Sequence, residues 1–252
     1  MLRVESLSKH FGGIKACDLL NFTVNKGEIF GLIGPNGSGK STTVNLICGV
    51  YSATSGKIFL EDQSITALPS HKRLSAGIAR TFQNIRLFKS MSVWKNLWVA
   101  QNSREDIRQY NSIQRWFGGA RYGREEIDAL IEFSGLIGKE DILAGNLAFG
   151  EQRRLELARA AATKPKLMLL DEPAAGMNKE EIQDLDRRIR SLRDNGVTIL
   201  LVEHVMELVM GVTDRIAVLN FGQKIAEDIP TQIQKNKMVQ EAYLGVSEGT
   251  DD

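Results

Sequence analysis

Glu28-Ile29-Phe30-Gly31-Leu32-Ile33-Gly34-Pro35-Asn36-Gly37-Ser38-Gly39-Lys40-Ser41 is the stretch from which the fold of this chain can be read. The apolar run up to Ile33 predicts a buried strand, and the pattern over residues 39–50 predicts a helix with Leu46 and Ile47 on its apolar side. Between them, Gly34 to Ser41 fits Gly-x-x-x-x-Gly-Lys-[Ser/Thr]. Glycines there let backbone N–H groups curl around phosphate oxygens, and the helix N-terminus adds partial positive charge. Lys40 is then placed for β- and γ-phosphates and the Ser41 hydroxyl for Mg2+. This loop alone leaves kinases, GTPases and ATPases open. Guanine specificity calls for Asn-Lys-x-Asp, and Asn25-Lys26-Gly27-Glu28 and Asn236-Lys237-Met238-Val239 both fail at the last position; GTP is therefore disfavoured.

Further along, Leu167-Met168-Leu169-Leu170-Asp171-Glu172 is a hydrophobic run ending in two carboxylates. In an open parallel sheet, ligands bind at the carboxyl ends of the strands. That brings Asp171 beside the phosphate loop to hold Mg2+, and Glu172 to orient or deprotonate an attacking water. Pro173 turns the chain away from the sheet. Apolar β-type runs (residues 2–7, 21–24, 57–60, 78–82, 197–203) alternate with helical patterns (residues 92–100, 124–133, 150–163, 179–193). Asn220-Phe221-Gly222 between two short runs signals a hairpin. The alternation predicts an α/β fold: a mostly parallel sheet with helices on both faces, and antiparallel strands towards the N-terminus. Residues 1–246 read as a single domain, with a helical subdomain over residues 92–163 inserted in the core. Within it, residues 103–123 read as a loop or mobile helix. The acidic tail 247–252 reads as disordered.

Composition narrows the class. The 252 residues are 42% hydrophobic with a formal net charge of +1. This allows a substantial core and gives no basic face for nucleic acid. Cys17 and Cys48 are far apart, which supports neither disulfides nor a zinc framework and points to a reducing compartment. No signal-peptide core stands at the start, and the apolar runs are far too short to cross a bilayer. Any membrane connection is expected to come through partners.

The order of the remaining motifs resembles the nucleotide-binding subunits of ABC transporters over nearly the whole chain. Thr81-Phe82-Gln83-Asn84 looks like the Q-loop and Asn146-Leu147-Ala148-Phe149-Gly150-Glu151-Gln152-Arg153-Arg154 like the signature motif. Ala174-Ala175-Gly176-Met177-Asn178 takes the D-loop place, Glu203-His204 the H-loop, and His10-Phe11-Gly12 the A-loop. The resemblance implies a P-loop NTPase (RecA-like) core with an antiparallel β subdomain, and ATP and Mg2+ as cofactors. It implies catalytic roles for Glu172, His204 and Gln83. Nucleotide binding falls to Phe11, on adenine, and to Gly34, Pro35, Asn36, Gly37, Ser38, Gly39, Lys40, Ser41 and Thr42. Magnesium falls to Ser41, Gln83 and Asp171. Leu147, Ala148, Phe149, Gly150 and Glu151 would face the ATP held by a partner subunit. Ala148, Phe149, Glu151 and Asn178 depart from the Ser, Gly, Gln and Asp common in the family.

Those departures, with Thr81 to Phe88, Asp171 to Gly176 and Glu241-Ala242-Tyr243-Leu244-Gly245, resemble the ATPases of branched-chain amino-acid importers. The partners implied are integral membrane permease subunits, a second ATPase subunit in a heterodimer rather than a homodimer, and indirectly a solute-binding protein outside the membrane. Nucleic acid is not among them. The place implied is the cytoplasmic face of the cell membrane. Competing readings are an ATPase for lipopolysaccharide export, a non-transport ABC ATPase, and a small-molecule P-loop kinase.

Overall fold

The computed structural model describes residues 1–102 and 123–244. The loop expected at 103–123, apart from Gly123, and the tail 247–252 lie outside them. In chain order the strands are β1 (Leu2–Phe11), β2 (Ile14–Val24), β3 (Ile29–Ile33), β4 (Ser55–Leu60), β5 (Gln63–Ser64), β6 (Ile78–Arg80), β7 (Leu167–Asp171), β8 (Thr198–Val202), β9 (Arg215–Asn220) and β10 (Gln223–Asp228). The α-helices are α1 (Lys40–Ile47), α2 (Ser70–Ser75), α3 (Val93–Gln101), α4 (Arg124–Ser134), α5 (Phe149–Ala161), α6 (Lys179–Asp194), α7 (Met206–Val212), α8 (Pro230–Ile233) and α9 (Lys237–Leu244).

Two sheets form. One is four-stranded, β2-β1-β4-β5, and antiparallel; the other is six-stranded in the order β10-β9-β3-β8-β7-β6. The pairings among β6, β7, β8, β3 and β9 are parallel, with β10 antiparallel on the edge. Every residue of β3, β7 and β8 is buried, as expected of strands covered on both faces. Their alternation sorts the core. Phe30, Leu32, Leu169 and Leu200 pack with the antiparallel sheet and α1. Ile29, Met168, Leu170 and Ile199 pack with α5, α6 and α7.

A separate apolar cluster joins α3, α4 and α5, from Val93 and Leu97 through Ile127 and Ile131 to Leu155. Ser92 caps α3, its side chain accepting from the Lys95 N–H, and Gly135 ends α4 in the left-handed conformation.

Several boundaries differ from the sequence reading. β1 runs well past residue 7 and β2 starts well before 21, because Lys9, His10 and Lys15 carry no apolar alternation yet still pair across the hairpin. The strand expected over 78–82 stops at Arg80, so Gln83 lies beyond the strand end. α1 closes at Ile47 and α5 starts at Phe149. The hairpin turn is the two residues Phe221 and Gly222, at φ 44° and 79°. Two left-handed residues in a two-residue loop match the right-handed twist of the flanking strands.

Candidate active site

The phosphate loop is shaped by close backbone approaches. A Cβ on Gly34 would stand 2.1 Å from the Leu219 carbonyl oxygen, and one on Gly39 2.4 Å from that of Ala16. The loop is thus pressed between β9 and β2, and no larger residue fits either place. The β9–β10 turn closes against it: the Gly222 N–H donates to the Ser38 carbonyl at 3.0 Å, and the Asp18 N–H donates to the Gly222 carbonyl at 2.8 Å.

Lys40 is 6% exposed. Its ammonium donates to the carbonyls of Gly34 (2.7 Å) and Pro35 (3.0 Å). Burial pushes its pKa below the ordinary lysine range, while the carboxylates of Glu172 and Asp171 pull it back up. The Ser38 hydroxyl is buried with no partner. An ammonium folded onto its own loop, an orphaned hydroxyl and the start of α1 together suit a polyphosphate. Among the described residues no group of three or more His, Cys, Asp or Glu side chains could hold a metal. Magnesium is held by one or two protein oxygens together with phosphate and water. Ser41 and Asp171 can supply those oxygens.

Asp171 ends β7, 6% exposed, and Arg80 donates to its Oδ2 at 2.7 Å. Arg80 also donates to Asn45 Oδ1 at 2.7 Å, which ties β6 to α1. Glu172 follows in a left-handed conformation, φ 48°, with its N–H donating to the Val202 carbonyl of β8. Left-handed backbone at a non-glycine residue is strained, and such strain collects at functional sites. Gln83 Nε2 donates to Glu172 Oε2 at 2.8 Å. His204 Nδ1 lies 3.8 Å from that oxygen and 3.4 Å from Glu203 Oε2, with its ring 57% exposed. Three residues from separate parts of the sequence, Gln83, Glu172 and His204, therefore meet at the carboxyl ends of β7 and β8.

The other named residues fall in two places. Phe11 is 43% exposed at the end of β1, edge-on to Tyr51 with ring centroids 5.4 Å apart, so it is not a core aromatic. In the signature stretch Leu147 and Gly150 are buried, and Ala148 and Phe149 exposed. A Cβ on Gly150 would come 2.5 Å from Glu181 Oε1. Ala148 cannot accept a capping bond, but Glu151 Oε2 accepts from the Ala148 N–H at 3.1 Å. Lys139 donates to Glu151 at 2.6 Å and holds its carboxyl below the ordinary range. Asn178 caps α6: its Oδ1 accepts from the Glu181 N–H, and Glu181 returns the bond.

Sequence reasoning missed three supports. Glu203, fully buried, accepts from the N–H groups of Ala174 and His204 and so joins the D-loop to the H-loop. The signal was present, a carboxylate ending an all-apolar strand. Arg80 gave none, and Tyr243 stood only within the closing stretch Glu241 to Gly245, with no role read for it. Tyr243 on α9 meets the Gly34 backbone, and burial pushes its phenol up to about 12.

The family description "ABC transporter" matches residues 17–175. The chain belongs to the ABC transporter family. It is 43% identical to the high-affinity branched-chain amino acid transport ATP-binding protein LivG of Escherichia coli (strain K12), over 97% of this chain and 98% of that protein. To BraF of Pseudomonas aeruginosa, which bears the same description, it is 42% identical, with the same coverage. The lipopolysaccharide export ATP-binding protein LptB of Escherichia coli (strain K12) is 34% identical over 97% of each chain. An ABC transporter cassette solved in its ADP conformation superposes with a TM-score of 0.83 at 32% identity, over 97% of this chain and 98% of that one. A nucleotide-free cassette gives 0.82 at 32% identity, over 97% and 99%.

Proposed function

We propose that this ABC ATPase energises an importer of branched-chain or related amino acids, with MgATP as its fuel. The meeting of Gln83, Glu172 and His204 beside the phosphate loop carries the reading. Glu172 orients or deprotonates the attacking water, His204 holds it or steadies the developing charge, and Gln83 would help hold the metal. Lys40 neutralises the phosphates and the loop from Gly34 to Thr42 cradles them. Phosphoryl transfer asks for positioning and charge neutralisation rather than covalent help, which this constellation supplies. When bound, Mg2+ neutralises charge on the β- and γ-phosphates. Phe11 is exposed where it can stack on adenine.

Residues 1–246 act as one ABC ATPase domain, with 92–163 as its helical part. Leu147 to Glu151 face the nucleotide of a second ATPase subunit. No helix among the described residues is long and apolar enough to cross a membrane; in this reading the cassette works at the cytoplasmic face against permease subunits. Import is favoured over lipopolysaccharide export by the higher identity to LivG and BraF. The test is ATP turnover of the complex that co-purifies with the tagged chain, in proteoliposomes holding a saturated solute-binding protein. Stimulation by leucine, isoleucine or valine supports import. Stimulation by lipopolysaccharide, or by no amino acid, refutes it.

A further inference from the structure

Arg153 lies one turn into α5, near the end of the signature stretch, with its side chain only 7% exposed. Its Nη1 donates to the Phe82 carbonyl at 2.9 Å, and its Nη2 donates to the Gln83 carbonyl. One turn on, Glu156 is 3% exposed. Its Oε2 accepts from Arg153 at 3.3 Å, and its Oε1 accepts from the Arg86 N–H at 3.0 Å. The two side chains together grip the main chain on both sides of Gln83-Asn84-Ile85. Gln83 is exposed beyond that grip, and its amide reaches Glu172 at 2.8 Å.

A surface loop does not need such an anchor, because water satisfies its carbonyls. Burying a guanidinium and a carboxylate to hold one carries a desolvation cost, and burial alone raises the Glu156 pKa. What the grip adds is a fixed position for Gln83. Its other end is the signature. The Arg153 guanidinium lies 5.5 Å from the centre of the Phe149 ring, and a Cβ on Gly176 would stand 3.6 Å from that ring. Contacts therefore run unbroken from Phe149 through Arg153 to the Gln83 backbone, and through the Gln83 side chain to Glu172.

We infer that Arg153 is a positioning residue, transmitting the placement of the signature end of α5 to Gln83 and so to the carboxylate of the chain's own site. The inference rests on the proposed roles of Glu172, Gln83 and the signature. It goes beyond them by making the two ATP sites of a paired cassette communicate through one side chain: nucleotide at the signature adjusts hydrolysis in the site built on this chain's own phosphate loop. Coupling of this kind needs a physical chain of contacts with two arrangements, and a measured interaction energy demonstrates it.

The experiment uses the full-length chain in the complex that co-purifies with it, with MgATP as the probe. Arg153→Met should lower kcat on the order of tenfold to a hundredfold, the scale of a lost charge-assisted hydrogen bond. KM should stay within about threefold, because the binding groups are untouched, and the Hill coefficient should fall towards one. Arg153→Lys, which keeps charge and one donor, should recover part of kcat. In a Gln83→Ala background Arg153→Met should cost nothing further. An unchanged kcat and Hill coefficient, or losses that multiply with Gln83→Ala, overturn the inference. Should thermal melting show Arg153→Met to be unfolded, the same cycle is run with Arg153→Lys. Glu172→Gln separates the two levels. If it leaves turnover intact, the site reading itself fails. If it abolishes turnover while the Arg153 and Gln83 losses multiply, the coupling alone fails.

Discussion

Glu172 carries the sharpest expectation at the scale of single residues. Glu172→Gln keeps the shape of the side chain but not its basicity, so ATP binding should persist while hydrolysis falls by about two orders of magnitude or more. Turnover of the purified variant, freed of contaminating ATPase, checks this. Lys40→Ala should weaken ATP binding or abolish turnover, since the phosphates lose their point charge. Phe11 behaves differently. It is 43% exposed and leans on Tyr51 rather than on the core. Phe11→Ala should therefore leave thermal stability nearly unchanged while weakening ATP binding about threefold to tenfold, the scale of one aromatic stack. Unchanged affinity in a fluorescent-nucleotide titration would remove adenine from its role. His204→Ala should impair turnover more than binding, because its ring sits 3.8 Å from the Glu172 carboxylate rather than within the phosphate loop.

At the scale of elements, two turns make opposite predictions. Phe221 is 86% exposed and held at φ 44°, a conformation that costs a β-carbon-bearing residue about 1–2 kcal/mol and that asparagine tolerates better. Phe221→Asn should raise stability by roughly 1 kcal/mol in chemical denaturation with the slope unchanged. The α6 N-terminus goes the other way. Asn178 and Glu181 exchange two bonds there, and Asn178→Ala should cost about 1 kcal/mol. The residue is thus a helix cap in a place where the family commonly has aspartate. Gly39→Ala belongs to this scale too: its Cβ would meet the Ala16 carbonyl at 2.4 Å, so loop and hairpin cannot both keep their places and ATP binding should be lost.

For the whole molecule, the expectation concerns pairing. In the proposed pair each composite site would borrow its signature from the opposite subunit, so Ala148 and Phe149 would weaken the partner's site rather than this chain's own. Lys40, Asp171, Glu172 and His204 are all in place here. The isolated chain should be monomeric or weakly self-associating with low ATPase activity, and its second ATPase and permease subunits should raise that activity. Adhesion through shared nucleotide follows mass action, so the pair opens without ATP. Light scattering of Glu172→Gln with MgATP decides: a tight homodimer would overturn the heterodimer.

The sequence by itself determined the phosphate loop, the acidic strand end, the strand–helix alternation and the order of the motifs. Each is a property of contiguous residues, whose spacing and backbone freedom fix local geometry before any long-range contact forms. Tertiary structure alone decided who touches whom. Gln83 and Glu172 are 89 residues apart, Arg80 and Asp171 are 91, and Arg153 reaches the Gln83 carbonyl across 70. They meet because β6, β7 and β8 lie side by side in parallel, which puts their carboxyl ends in one row. That neighbourhood depends on the crossovers and on the packing of α5 and α6 over the sheet. No local pattern encodes either, so Gln83, Glu172 and His204 could be named from the sequence as candidates but the contacts that hold them could not.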